Sequence, residues 1–367
     1  MASTAAGQAF FAPRATIEKI VLGGRPATLS TLETCAATRG NGARMRVRLL
    51  GYGATVVSLE CPDRSGRMDD VVLGFADLGR YLGPHPYFGA TVGRFANRIR
   101  GARFTLDGRE TRLDSNENGH QLHGGADGFH RGWFDATPLP AGRDTFGEWA
   151  GIAFTRTSPD GEGGFAGNLD VRVEYRLYDR GALRIDFFAE TDRPTIVNLT
   201  HHGYWKLAGG AGGVLDESLW IGADRYVPLD SEGIPTGGTR AVDSTAFDFR
   251  EPRVIGERIG DAELAPRGGY DHPLVVGTPD GGLAHVATLR DSRSGRRLDV
   301  HTTEPVLQLY TGQLLDPAET GYEPFAALCL EPGQAPDCPN QPDLGSARLL
   351  PGERYEHTVV YTLSVDG

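Results

Sequence analysis

Two short segments carry the residues best suited to move protons. Residues 325–332 read Phe-Ala-Ala-Leu-Cys-Leu-Glu-Pro. As a strand this places Ala327, Cys329 and Glu331 on one face and Leu328 and Leu330 on the other. Pro332 has no N–H to donate and is expected to end the ladder. A carboxylate at the end of an apolar strand is partly desolvated, which raises its pKa and makes it a better general base. A loop-capping Glu, or one paired with an Arg, would leave the same trace. The second segment, residues 195–206, runs from a strand pattern into the adjacent pair His201-His202. Neighbouring strand residues point to opposite faces, so one imidazole can reach a cleft while the other meets core or solvent. Imidazole donates a proton near neutral pH, although a His pair is also common as structure or as exposed surface.

Four further segments offer binding groups. In 118–125, Asn-Gly-His-Gln-Leu-His-Gly-Gly, the glycines after His123 let backbone approach a ligand closely. His120 and His123 would share a face only in a helix, which the glycines oppose, so a zinc site gains little support. Asn97-Arg98 supplies hydrogen-bond donors for a hydroxylated ligand, or else a solvated strand end. Asp271 sits in the turn-like Tyr270–Pro273. Gln308 and Tyr310 share a strand face, an amide beside an aromatic ring, which suits a sugar or a sheet surface alike. Gly51-Tyr-Gly53 lacks the third glycine and the helix of a dinucleotide fingerprint, and neither a Walker loop nor a nucleophile elbow occurs.

The elements that must hold these groups are strands. Period-2 alternation dominates, as in Leu169, Val171, Val173, Tyr175 and Leu177 against Asp170, Arg172, Glu174 and Arg176. Similar patterns recur at 45–49, 183–189, 195–199, 219–221, 298–301, 306–310, 326–330 and 358–365, and only 77–82 suggests a helical turn. The chain has 51 glycines and 23 prolines in 367 residues, a composition that fits many short strands joined by turns. No strand–helix alternation and no linker appears. The expectation is an all-β fold, one large antiparallel β-sandwich over residues 17–367, after a loose tail at 1–16.

A net charge of −11 argues against nucleic acid or an anionic membrane as partner. No stretch approaches the roughly 18 apolar residues of a membrane helix, and the N-terminus lacks a signal-peptide pattern. The expected location is cytoplasmic, with the periplasm as alternative. Cys35, Cys61, Cys329 and Cys338 show no metal-ligand spacing and read as structural thiols, with a disulfide as the other reading.

The order of these segments resembles the aldose 1-epimerase (galactose mutarotase) family from about Ile17 onward. The resemblance rests on residues 93–108, 122–125, 198–209, 270–273, 307–313 and, most specifically, 329–361. It implies a galactose mutarotase-like supersandwich that interconverts the anomers of free aldoses, with Glu331 as base and His202 as acid. Asn97, Arg98, His123, Asp271 and Gln308 match substrate-binding positions. It implies no cofactor and no metal; the expected partner is a small-molecule aldose substrate, and the expected state a monomer or homodimer. The chain departs from the family pattern at His201 (commonly Asn), Gly203 (Ser or Thr), Lys206 (Asn) and Gln121 (often His). A glycoside hydrolase using Asp271 and Glu331 as paired carboxylates, or a sugar-binding module without catalysis, are the rival readings.

Overall fold

The computed structural model describes residues 12–34, 44–210, 212–277 and 281–366. Among the described residues three antiparallel sheets dominate. The nine-stranded sheet runs in the order 135–144, 147–158, 169–178, 182–191, 355–365, 296–302, 284–290, 218–221 and 253–254. The six-stranded sheet runs 204–205, 328–333, 306–310, 271–275, 225–226 and 240–241, and the five-stranded one follows chain order from 14 to 70. The all-β antiparallel architecture expected from alternation is the observed one.

Alternation explains the packing. Leu169, Val171, Val173, Tyr175 and Leu177 are all buried. They share one core with Val47, Leu49, Val56 and Leu59 of the five-stranded sheet and Leu274, Leu307, Leu309, Leu328 and Leu330 of the six-stranded one. Burial of this apolar face is what fixes strand register, since a one-residue slip would turn every side chain outward.

Two buried arginines join the sheets. Arg296, fully buried on the 296–302 strand, donates to the carbonyls of Cys61, Pro62, Arg67 and Leu207 and pairs with Asp69 at 2.8 Å. Arg94, also buried, donates to Ser158 Oγ and to the carbonyls of Ser158, Pro159 and Ala166. Every nitrogen of each guanidinium thus finds a protein acceptor, as a buried cation requires. Arg94 thereby pins the segment leading to Asn97 and Arg98 onto the nine-stranded sheet.

Several expectations need correction. The strand expected to stop at Pro332 covers Leu328–Gly333, with Leu307 opposite Pro332 and Val306 opposite Gly333. Its other neighbour, Tyr204–Trp205, reaches only Leu328 and Cys329. Pro332 therefore lies where the strand is paired on one side only, a place that tolerates the missing donor. Arg14–Thr16, assigned to the tail, begin a strand that spans Arg14–Leu22 and pairs with Arg25–Glu33 across a Gly23-Gly24 turn. Both glycines have positive φ (55° and 78°), the geometry of a two-residue hairpin turn. The 77–82 turn is a 3-10 helix over Leu78–Leu82, capped by Asp77 accepting from the Gly79 N–H at 2.9 Å. Cys61, Cys329 and Cys338 are buried and free, and Cys35 lies outside the described residues.

Candidate active site

Three adjacent strands of the six-stranded sheet supply the floor. Gln308 and Glu331 are directly opposite in register, so both side chains leave the same face. Asp271 belongs to the next strand, two residues from Pro273, the partner of Gln308, and so joins that face. His202 follows the Thr200–His201 strand, and its backbone is held by its N–H to the Ala90 carbonyl and by the Gly89 N–H to its own carbonyl, both 2.9 Å. Arg98 lies on the short Arg98–Ile99 strand paired with Gln121–Leu122, and Asn97 and His123 flank that pair.

All seven residues singled out in the sequence line one cavity of about 180 Å³. Within it the His202 Nε2 lies 3.6 Å from the Glu331 Oε2. The imidazole of His202 stacks with the rings of Tyr87 and Tyr204 (centroids 5.5 and 5.2 Å apart), and its Nδ1 meets Cys329 Sγ at 3.6 Å. As alternation implied, the two histidines part company: His202 faces the cavity, while His201 is wholly buried beside Trp205 and Tyr361.

Around this pair the polar groups hold one another. Gln308 Nε2 donates to Asp271 Oδ1 at 2.7 Å, and Arg267 clasps Asp271 Oδ2. Arg98 is bidentate to Glu117, at 2.6 and 2.9 Å, with its remaining nitrogen 3.9 Å from Asp271. The Asn97 N–H donates to His123 Nδ1 at 3.1 Å, and the His123 N–H returns a bond to the Asn97 carbonyl. With Nδ1 an acceptor, neutral His123 carries its proton on Nε2. Both residues sit at positive φ (67° and 53°), a cost repaid by this reciprocal pair.

Burial dominates the protonation chemistry. It pushes His202 down to about 3 and His123 well below the ordinary imidazole range, with neighbouring cations adding to the effect on His123. It pushes Glu331 well above the usual carboxylate range, and the Asp271 charge adds to this. Burial acts on Asp271 in the same sense, but the Arg98 and Arg267 charges outweigh it and keep that carboxyl below its usual value. Arg98 stays charged because Glu117 and Asp271 more than offset its desolvation. Burial therefore disfavours the charged form of both His202 and Glu331.

Donor atoms of His123, His202 and Glu331 all lie within 4.8 Å of one another. These are the side chains that could hold a transition-metal ion, since two imidazoles and a carboxylate are a familiar donor set. The earlier His120–His123 pairing does not occur, because His120 Nδ1 accepts from the Gly101 N–H at 2.9 Å. The glycine after His123 serves packing: a Cβ on Gly124 would lie 1.9 Å from the Gly93 carbonyl oxygen. Sequence reasoning missed Glu117, Tyr87, Tyr204 and Leu314, which also line the cavity, and Arg267 beside it. The i, i+4 spacing of Arg267 and Asp271 was a usable signal. Glu117 and Tyr87 lie in loops, where nothing in the pattern separates them from solvent-facing residues.

The chain matches the family model described as aldose 1-epimerase over residues 36–362. It is 39% identical over 356 residues to the galactose mutarotase of Sus scrofa, covering 95% of this chain and 99% of the relative. It is 41% identical over 328 residues to the galactose mutarotase of Mus musculus, covering 88% and 92%. Its fold overlays a crystal structure described as galactose 1-epimerase from Lactobacillus acidophilus with a TM-score of 0.83 at 28% identity, covering 96% and 99%. The chain belongs to the aldose 1-epimerase family, and its sheets form the galactose mutarotase-like supersandwich.

Proposed function

We propose that this protein interconverts the α- and β-anomers of free aldoses such as glucose or galactose, with Glu331 as base and His202 as acid. The observation that carries the reading is the 3.6 Å approach of His202 Nε2 to Glu331 Oε2 inside a cavity lined by carboxylates, imidazoles, amides and tyrosine rings. Anomerisation needs a proton taken from the C1 hydroxyl and one delivered to the ring oxygen. Both oxygens belong to one carbon, so the acid and the base must lie close together.

The chemistry is balanced by one proton. In the closed-ring complex Glu331 is ionised and His202 protonated. Glu331 takes the O1 proton as His202 gives its own to O5, and the C1–O5 bond breaks to leave an aldehyde. Rotation about C1–C2 and the reverse transfers close the ring on the other face. The open-chain complex thus has a neutral carboxylic acid and a neutral imidazole, the state that burial favours in the free site. Each transfer contributes on the order of 10²–10⁴-fold. Arg98, Asn97, His123 Nε2–H, Asp271 and Gln308 would hold the sugar hydroxyls.

Hydrolysis fits less well. Asp271 is kept ionised by two arginines and is occupied by Gln308 and Arg267, so it is a poor proton donor to a leaving group. Polarimetry on freshly dissolved α-D-glucose and α-D-galactose tests the proposal. Micromolar protein is expected to hasten the approach to equilibrium rotation, and unchanged rates with both sugars and a panel of pentoses would overturn it. Glu331→Gln is expected to lower kcat by roughly 10³-fold or more, with an unchanged unfolding midpoint.

A further inference from the structure

A second, much smaller cavity lies behind Glu331. Asn97, Gln308 and Glu331 line both cavities and so divide them, and Thr200 and Asn198 line only the inner one. Its volume is about 20 Å³, above the roughly 10–15 Å³ that one water requires and far too small for a sugar. Thr200 and Gln308 are 2% and 7% exposed. Among the described residues Thr200 Oγ1 and Gln308 Oε1 have no hydrogen-bond partner, whereas buried polar atoms are almost always hydrogen-bonded.

The orientation of Gln308 is settled by chemistry. Its Nε2 donates to the Asp271 carboxylate at 2.7 Å, so its Oε1 is the acceptor left over. Directly across the strand pair stands Glu331, whose carboxylate lies 3.6 Å from His202 Nε2, beyond hydrogen-bond distance. With Glu331 ionised, as in the closed-ring complex, the two face each other as acceptors and cannot bond directly. Asn198 cannot serve either, because its amide is spent on Ala96 and Gln334.

We propose that this inner cavity is a built site for one water molecule. The water accepts from the Thr200 hydroxyl and donates to Gln308 Oε1 and to the Glu331 carboxylate, three hydrogen bonds, as buried waters typically make. Thr200 then becomes a positioning residue: it acts on the sugar only through the water, by fixing the carboxylate rotamer that faces O1. This role rests on the proposed anomerase activity, while the water site does not.

The test combines two measurements. A high-resolution crystal structure of the wild-type protein is expected to show an ordered water within hydrogen-bond distance of Thr200 Oγ1, Gln308 Oε1 and Glu331. Thr200→Val keeps the shape and removes the hydroxyl; it is expected to lower kcat about tenfold at unchanged KM. Thr200→Ser, which restores the hydroxyl, is expected to stay within about twofold of wild type. Absence of the water from wild-type density, a fully active Thr200→Val protein, or a Thr200→Val effect on KM alone would each overturn the proposal. If Thr200→Val does not fold, the wild-type density and the Thr200→Ser rates decide. A wild-type protein that shows the water yet leaves anomerisation unhastened overturns the proposed function and not the water site.

Discussion

At the scale of single residues the site is a set of mutual restraints around the His202–Glu331 pair. Glu117 shows how far the restraint extends. It takes two N–H groups of Arg98, so the guanidinium is aimed before a sugar arrives, and this lowers the entropic cost of binding. Glu117→Gln keeps the shape and removes the charge. It is expected to raise KM about tenfold with kcat changed less, since a charge-assisted bond is lost from binding and not from the proton transfers. Steady-state polarimetry across sugar concentration checks it; a fall in kcat alone would move Glu117 into the chemical step. The His202–Glu331 pair itself makes a second prediction. Burial holds His202 near 3 and raises Glu331 above its ordinary range, so the pair, titrating as a unit, takes up its second proton only well below pH 6.5. The profile of kcat/KM is therefore expected to stay flat below pH 6.5, with its acid limb near the shifted His202 value. An acid limb near 6.5 would show an imidazole that titrates as it does in water.

At the scale of elements, legibility followed burial. The strands 169–178 and 182–191 were plain because one face is buried and alternation is the direct consequence. The 14–33 hairpin escaped notice because much of it is exposed, so little selects an apolar face. Glu331 and His202 were found through strand geometry and family order. Pro332 was misjudged because a sequence does not reveal which strand edge lacks a neighbour. The segment Thr200–Trp205 explains two departures from the family pattern together. A Cβ at Gly203 would lie 2.7 Å from His201 Nε2 and 3.3 Å from Trp205 Nε1, so the larger imidazole at 201 occupies the space that a side chain at 203 would need. His201, Gly203, Lys206 and Gln121 all lie outside the cavity lining, so none of them touches the sugar space. Gly203→Ser is expected to destabilise by about 1–3 kcal/mol through overpacking, and adding His201→Asn is expected to recover most of that loss. Urea denaturation of both single variants and the double variant reads the coupling directly, and additive losses would rule out the shared volume.

At the scale of the whole molecule, the buried titratable groups set where the fold is most stable. Burial pushes His85 and His272 down to about 4, His357 likewise to about 4, and His130, His201 and His202 to about 3, from 6.5. A group depressed in the folded state stabilises fully above its unfolded value, so these histidines contribute above pH 6.5 and lose that contribution as pH falls toward 4 and 3. The buried acids run the other way. Burial raises Asp70 and Glu304 to about 7 and Glu217 to about 8. Their contribution is full near pH 4 and is lost as pH climbs through 7 and 8. Between about pH 5 and 6.5 the six histidines outnumber these acids together with Glu331, so stability rises with pH. Above 6.5 the histidines of the unfolded chain progressively lose their protons as well and the acids come to dominate, so stability falls. The net charge of −11 deepens the alkaline decline through self-repulsion. Thermal unfolding across pH 5 to 9 at constant ionic strength is therefore expected to give a maximum near pH 6.5. A maximum above pH 8 would mean that Asp70, Glu217 and Glu304 are ionised at little cost, and that water or an unrecognised cation reaches them inside the sheets.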